Sequence, residues 1–295
     1  LDHAALLTAR IGENLEPLVK EERKMRRYLL PTVVVVGLLL AACGGAATPT
    51  AEEMAPAGPA GITTDFGGST VRIAVDNAYP PFSYLDDAGN PIGWDYDFFN
   101  EVCARLNCEP EFVEAAWEGL FEAMSAGEYD MTGDGITLTL ARSLRIDYSD
   151  PYVEYGQVVL VRADDDRFPD EEAWVNSDGT VATQIGTTNE ITAMNLVGES
   201  RVVSYEEYDL PVVAMLSGDV DSVIIDEVAA VGFMGENPGE MKIAFSVTGG
   251  ELLALAFPPL SEYVEPVNWA MQEMFADGTM DQICQEWLLR PCTPE

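Results

Sequence analysis

The stretch VRIAVDNAYPPFSYLDDAGNPIGWDYDFFNEV, Val71–Val102, decides how the rest of the chain is read. Val71-Arg72-Ile73-Ala74-Val75 is predicted to be a β-strand. From Asp95 to Leu106 the pattern changes to a helical one, with Phe98, Phe99, Val102 and Leu106 on one face. The stretch is therefore a strand that delivers the chain into an amphipathic helix.

Working outward, the alternation persists. Strands are predicted at Glu111–Glu114, Tyr155–Val161, Thr180–Gln184, Arg201–Ser204, Val223–Ile225 and Leu252–Phe257. Helices are predicted at Trp117–Ser125 (stopped by Gly127), Thr188–Leu196, Leu210–Leu216 (before Gly218), from Asp226 onward, Ser261–Phe275 and Met280–Leu288. Such alternation gives an α/β fold with largely parallel sheets. Ligands in such folds sit outside the carboxyl ends of strands, where the strand order reverses.

Composition removes several functions. The chain has 295 residues, enough for about two domains. It carries 51 Asp+Glu against 15 Lys+Arg, a formal charge of −36 that repels phosphate backbones and disfavours nucleic acid. The one histidine, His3, precedes the folded part, so no Ser-His-Asp triad, Cys-His pair or His-ligated zinc is expected there. Neither G-x-x-x-x-G-K-[ST] nor G-x-G-x-x-G occurs, and no cofactor or metal is expected.

The segment MRRYLLPTVVVVGLLLAAC, Met25–Cys43, has the build of a secretory signal peptide. Arg26 and Arg27 lead a short apolar run, well below the ~20 residues of a stable membrane span. Its end, Leu40-Ala41-Ala42-Cys43, resembles the lipobox of bacterial lipoproteins, which implies cleavage before an acylated Cys43. Residues 1–24 are expected to be an over-extended start or a cytoplasmic extension. Residues 43–68, mostly Ala, Gly, Pro and Thr, are expected to form a flexible tether. These features together place an acidic domain outside the cytoplasm, leashed to the cell membrane by lipid. In such a chain Cys103, Cys108, Cys284 and Cys292 suggest two disulfides. Three pairings are possible; the local one would close short loops at helix ends.

Three blocks carry a family resemblance: Val71–Val102, AAWEGLFEAMSAGEYDMTGDGITLTLARSLRIDYSDPY (Ala115–Tyr152) and ADGTMDQICQEWL (Ala276–Leu288). They resemble the solute-binding proteins of amino-acid ABC importers, the polar amino-acid family, with Gly93–Phe98 matching its hallmark. The resemblance implies a two-lobed periplasmic-binding-protein-like fold of type II whose lobes close on the ligand. The two crossover hinge strands would fall near Tyr155–Val161 and Glu251–Phe257. Lobe 1 would then comprise residues 70–157 plus 256–295, and lobe 2 residues 158–255.

By the same resemblance, Arg142 would grip a ligand α-carboxylate, a task suited to a planar guanidinium fork. Thr137 and the Gly135 backbone would add donors. Asp226 would accept from the α-ammonium while also capping the helix that follows it. Thr187 would contribute at a helix start, where free N–H groups favour anions. Tyr79 and Trp117 would be aromatic walls around the ligand side chain, with Asp76 and Asp134 facing that side chain. Asp134 departs from the small residue commoner in the family. Two carboxylates and two aromatic faces favour a cationic side chain, then a neutral polar one, with an acidic one last.

The leading expectation is thus a non-enzymatic, monomeric receptor that binds a free basic or neutral polar amino acid and presents it to an ABC permease. A second class is an enzyme on the same fold, like cyclohexadienyl dehydratases, with Asp76, Asp134 or Glu118 as acid/base. A third, a sensor ectodomain, is disfavoured because neither a membrane span nor a kinase region follows.

Overall fold

The computed structural model describes residues 61–292. The expected extension 1–24, signal segment 25–42, acylated Cys43 and the tether as far as residue 60 lie outside the described residues. In chain order the first part contains β1 (Ser69–Val75), β2 (Ala78–Tyr79), β3 (Ser83–Leu85), β4 (Pro91–Ile92), α1 (Trp94–Leu106), β5 (Cys108–Glu114), α2 (Leu120–Ala126), β6 (Met131–Thr132), β7 (Asp147–Tyr148) and β8 (Val153–Tyr155). The second contains β9 (Gln157–Arg162), α3 (Glu171–Val175), β10 (Val181–Gln184), α4 (Thr188–Val197), β11 (Val202–Tyr205), α5 (Leu210–Ser217), β12 (Ser222–Asp226), α6 (Glu227–Glu236) and β13 (Met241–Ser246). The chain returns through β14 (Glu251–Leu253) to β15 (Ala256–Phe257), α7 (Val264–Asp277) and α8 (Thr279–Trp287).

Two five-stranded sheets result, ordered β5-β1-β6-β15-β7 and β11-β10-β12-β9-β13. Four strands of each run one way. The fifth is antiparallel to both neighbours: β15 between β6 and β7, and β9 between β12 and β13. The expectation of largely parallel sheets is corrected at these strands. Each is the strand that brings the chain in from the other sheet, without the helical crossover that a parallel neighbour needs.

The crossing itself is a short antiparallel ribbon, β8 with β14, in which Tyr155 faces Glu251 and Val153 faces Leu253. The crossings predicted as continuous strands are broken, at Gly156 on the way out and at Ala254–Leu255 on the return. A Cβ at Gly156 would lie 2.3 Å from the Thr248 carbonyl oxygen, so only glycine lets the two segments pass that closely.

Apolar packing runs from one sheet to the other. Trp94, fully buried, stacks on Phe98 and Tyr152 with ring centroids 4.5 Å apart in both cases. Its indole N–H points at the Cys284 sulfur, 3.3 Å away. On the far side, buried Trp174 donates to the Ser222 hydroxyl at 2.9 Å. The sulfurs of Cys103 and Cys108 lie 2.22 Å apart, and those of Cys284 and Cys292 lie 1.93 Å apart, which is the local pairing.

Two further expectations are corrected. The helix predicted from Trp117 begins at Leu120, because Gly119 adopts φ 86° and leaves Trp117 in a turn. The end of the supposed tether is docked rather than free. The Phe66 and Gly68 N–H groups donate to the Leu106 and Asn107 carbonyls at 2.8 Å, and the Phe66 ring meets Tyr263. Strand β13 and helix α3 were not anticipated; Met241–Ser246 is mostly half-buried and lacks a clean alternation.

Candidate functional site

Four strand ends converge on one cavity. Asp76 follows β1, Asp134 follows β6, Gln184 ends β10 and Asp226 ends β12. The free space left in it is small, about 10 Å³, roughly room for one water molecule. All nine predicted ligand-binding residues line it: Asp76, Tyr79, Trp117, Asp134, Gly135, Thr137, Arg142, Thr187 and Asp226. Gln184, Thr188, Asn189 and Tyr208 line it as well and were not singled out. Gln184 closes a predicted strand and so was open to the strand-end argument. Thr188 and Asn189 begin the helix after Thr187. Tyr208 stands in a loop and carries no local signal.

At one end lies Arg142, held by a short 3₁₀ turn (Arg142–Leu144) and by its own Nη1 donating to the Thr137 carbonyl at 3.1 Å. The guanidinium carbon sits 5.2 Å from the Trp117 ring and 4.6 Å from the Phe121 ring. Cation–π contact of this kind holds a charge without neutralising it. Burial lowers the Arg142 pKa, and among the described residues it forms no ion pair. The Thr137 hydroxyl reaches Tyr155 Oη at 2.6 Å and Thr188 Oγ1 at 3.3 Å, joining the first sheet's loop to the second's helix.

Opposite lies Asp226, 4% exposed. It holds the N-cap position of α6, but its side chain makes no capping bond. The expected double duty is therefore corrected: the carboxylate points into the cavity, accepting from Tyr79 Oη at 2.5 Å and Asn189 Nδ2 at 2.8 Å. Burial pushes its pKa up to about 6, against those hydrogen bonds and the Arg142 charge. Thr187, by contrast, does cap: its hydroxyl accepts from the Glu190 N–H at 3.1 Å and donates to the Gln184 carbonyl at 2.7 Å.

The aromatic walls differ from expectation. Tyr79 is stacked on Tyr208, centroids 3.9 Å apart, and its hydroxyl is engaged by Asp226. One face of Tyr79 is thus already covered. Gly135 packs against the phenol end, where a Cβ would lie 2.6 Å from Tyr79 Cε1. Trp117 faces Arg142.

Asp76, 9% exposed, has its pKa raised to about 7 by burial and by the charges of Asp134, Glu207 and Asp209. Among the described residues its side chain meets Gln184 Nε2 at 3.5 Å. Asp134 is 1% exposed, with its pKa raised to about 6 by burial. Its oxygens do not face the ligand space unengaged, as predicted. Oδ1 accepts from Ser83 Oγ at 2.6 Å and the Asp76 N–H at 3.2 Å, and Oδ2 meets Thr132 Oγ1 at 3.1 Å. Glu118, the third acid/base candidate, is exposed and does not line the cavity.

A cavity with an unpaired cation at one end and buried carboxylates elsewhere suits a zwitterion. A family profile described as bacterial extracellular solute-binding proteins, family 3, matches residues 71–290. A protein of Neisseria gonorrhoeae named a probable histidine-binding protein is 30% identical over 223 residues, covering 73% of this chain and 77% of its own. Among solved structures, an ancestral arginine-binding protein bound to glutamine superimposes with a TM-score of 0.69 at 29% identity, over 74% of this chain and 97% of its own. An ancestral amino acid-binding protein, a precursor of cyclohexadienyl dehydratase, does so with a TM-score of 0.69 at 27% identity, over 75% of this chain and 96% of its own.

Proposed function

Since the chain belongs to the bacterial extracellular solute-binding proteins of family 3, we propose that it binds a free amino acid outside the cytoplasm and delivers it to an ABC import permease. The observation that carries this reading is Arg142. It is a half-buried guanidinium on the cavity wall, unpaired among the described residues of a chain with 51 acidic ones. It takes the α-carboxylate, with Thr137, Gly135 and the start of α4 around it. Asp226 takes the α-ammonium. Asp76 is left for the side chain, and with no cation paired to it among the described residues, it favours a basic side chain, then a neutral polar one.

The two lobes are residues 70–157 plus 256–295, and 158–255, with β8 and β14 as the hinge between them. Contacts from one sheet's side to the other's, Tyr79 to Asp226 and Thr137 to Thr188, support a closed form. Both local cysteine pairs are disulfides, as suits an exported chain. Cys43 is acylated and anchors a monomer to the membrane.

A thermal-shift screen of the twenty amino acids tests the ligand, because binding to the native state raises apparent stability. Arginine or lysine is expected to give the largest shift, and no shift with any amino acid defeats the proposal. For the anchor, Cys43→Ala should release the protein from membranes or leave it unprocessed; unchanged processing and retention would refute acylation. The enzyme reading draws on the dehydratase-precursor neighbour. We expect prephenate and arogenate to yield no aromatic product, since Asp134 is engaged with protein donors and Glu118 is exposed and does not line the cavity.

A further inference from the structure

Behind Asp76 lies a set of groups that the ligand does not need to touch. We propose that Asp134 is a positioning residue, which aims Asp76 into the cavity and so sets the preference for a cationic over a neutral ligand side chain. This inference rests on the amino-acid-binding reading above.

The geometry gives Asp134 little other work. Oδ1 accepts from the Asp76 N–H and from Ser83 Oγ. Its own N–H donates to Asp95 Oδ2 at 2.9 Å. Oδ2 faces the Thr132 hydroxyl at 3.1 Å, but that hydroxyl also lies 3.0 Å from the Ala74 carbonyl oxygen. The hydroxyl has one proton. When it donates to Ala74, the bond to Asp134 needs a proton on Asp134 Oδ2, so the neutral acid completes the chain: Asp134 Oδ2–H to Thr132, Thr132 to Ala74. Oδ1 holds the Asp76 backbone in either charge state.

The surroundings agree. Asp95, fully buried, has its Oδ1 without a partner among the described residues, and its acid is pushed well up by burial. Around Asp76 stand Asp134, Gln184, Glu207 and Asp209, and behind Asp134 stands Asp95. Beside them Tyr96 Oη donates to Asn77 Oδ1 at 2.6 Å, and Asn77 Nδ2 donates to Glu114 at 3.3 Å. None of these groups is a cation, and the acids form no cluster able to hold a metal ion. Two adjacent buried carboxylates do not readily both ionise. In the empty cavity Asp134, at about 6, gives up its proton before Asp76, at about 7; a ligand cation at the cavity surface draws the charge to Asp76, and the proton passes to Asp134, where Thr132 and Ala74 complete its chain.

The test compares arginine with citrulline, its neutral isostere, by titration calorimetry from about pH 5.5 to 8.5. For the wild type, arginine affinity should rise with pH as Asp76 ionises, while citrulline affinity stays flat above pH 6.5. Asp134→Ala should cut the arginine-to-citrulline preference at least ten-fold. Asp134→Asn keeps an Oδ1 acceptor for Asp76 and offers Nδ2–H to Thr132. It should restore most of the preference and move the midpoint of the arginine pH profile downward, because no second charge opposes Asp76. Equal loss for both ligands in Asp134→Ala, or no rescue by Asp134→Asn, overturns the inference. If Asp134→Ala does not fold, an unmoved midpoint in Asp134→Asn overturns it alone. A wild type that prefers citrulline, or binds only other amino acids, ends this inference and leaves the receptor reading standing; one that binds no amino acid ends both.

Discussion

A guanidinium taken out of bulk water is stable only if something supplies its counter-charge. Arg142 has two aromatic rings and a carbonyl, but no carboxylate among the described residues. Asp226 has two neutral donors and, among the described residues, no cation within hydrogen-bond reach. Each is therefore poised for one end of a zwitterion. Arg142→Ala and Asp226→Ala should each remove one partner of a desolvated charge pair, costing about 2–5 kcal/mol of binding. At ~1.4 kcal/mol per decade, that is about a 30-fold to several-thousand-fold loss. Calorimetry of either variant, with circular dichroism showing it folded, checks this; wild-type affinity would remove the residue from the site. At this scale the sequence was informative where a side chain ends a strand or follows a motif. Asp76, Asp134 and Arg142 were singled out through the family resemblance, and Asp226 through the resemblance together with its place at a strand end. What each oxygen does was not legible. That Asp134 turns to Ser83 and the Asp76 N–H, and that Asp226 declines its capping bond, depend on neighbours far away in sequence.

Among the elements, the crossing ribbon β8–β14 is where the two sheets depend on one another. Gly156 sits at its turn-off, 2.3 Å (from an imagined Cβ) to the Thr248 carbonyl oxygen. Because that atom is backbone, Gly156→Ala must displace the chain near Thr248. Overpacking of this kind costs about 1–3 kcal/mol. At about 2–4 °C per kcal/mol for a chain of ~150–250 ordered residues, the melting temperature should fall by several degrees. Glycine elsewhere tolerates more: Gly235→Ala on α6, with nothing within 4 Å, should raise it slightly or leave it unchanged. Differential scanning calorimetry of both decides, and a Gly156→Ala protein as stable as wild type would show that the ribbon yields freely. Helices with one apolar face, such as α1, were readable from periodicity. The reversed strands β9 and β15 were readable as strands but not as reversed, since direction is set by where the chain comes from. Strand β13 escaped because its half-buried residues give neither alternation nor an unbroken apolar run.

For the molecule as a whole, two electrostatic effects with different ranges meet. A formal charge of −36 spreads over the surface and opposes the compact state through self-repulsion, which salt screens. The cavity aspartates act at short range, and burial shields them from that screening. Burial raises Asp76 to about 7 and Asp134 and Asp226 to about 6, each from 3.8. Between pH 4 and 7 the folded chain therefore binds more protons than the unfolded one, so stability falls as pH rises through that window. Surface repulsion grows as pH rises and so lowers stability in the same direction, which makes salt the way to separate the two. For the ligand-free protein, the melting temperature at pH 8 should rise steadily from low salt to molar sodium chloride, and equally in potassium chloride. At pH 5, where fewer surface carboxylates are charged, the salt effect should be smaller. In molar salt a decline from pH 5 to pH 8 should persist, as the share owed to the cavity. A saturating amino acid should reverse that decline, because its α-ammonium needs Asp226 ionised and so stabilises the fold more at pH 8 than at pH 5. Scanning calorimetry across the two pH values and two salt levels, with and without ligand, reads all of these together. A melting temperature flat or falling with salt at pH 8 contradicts the surface argument. A pH slope that vanishes in molar salt contradicts the cavity argument, because it would place all the titrating strain on the outside of the molecule.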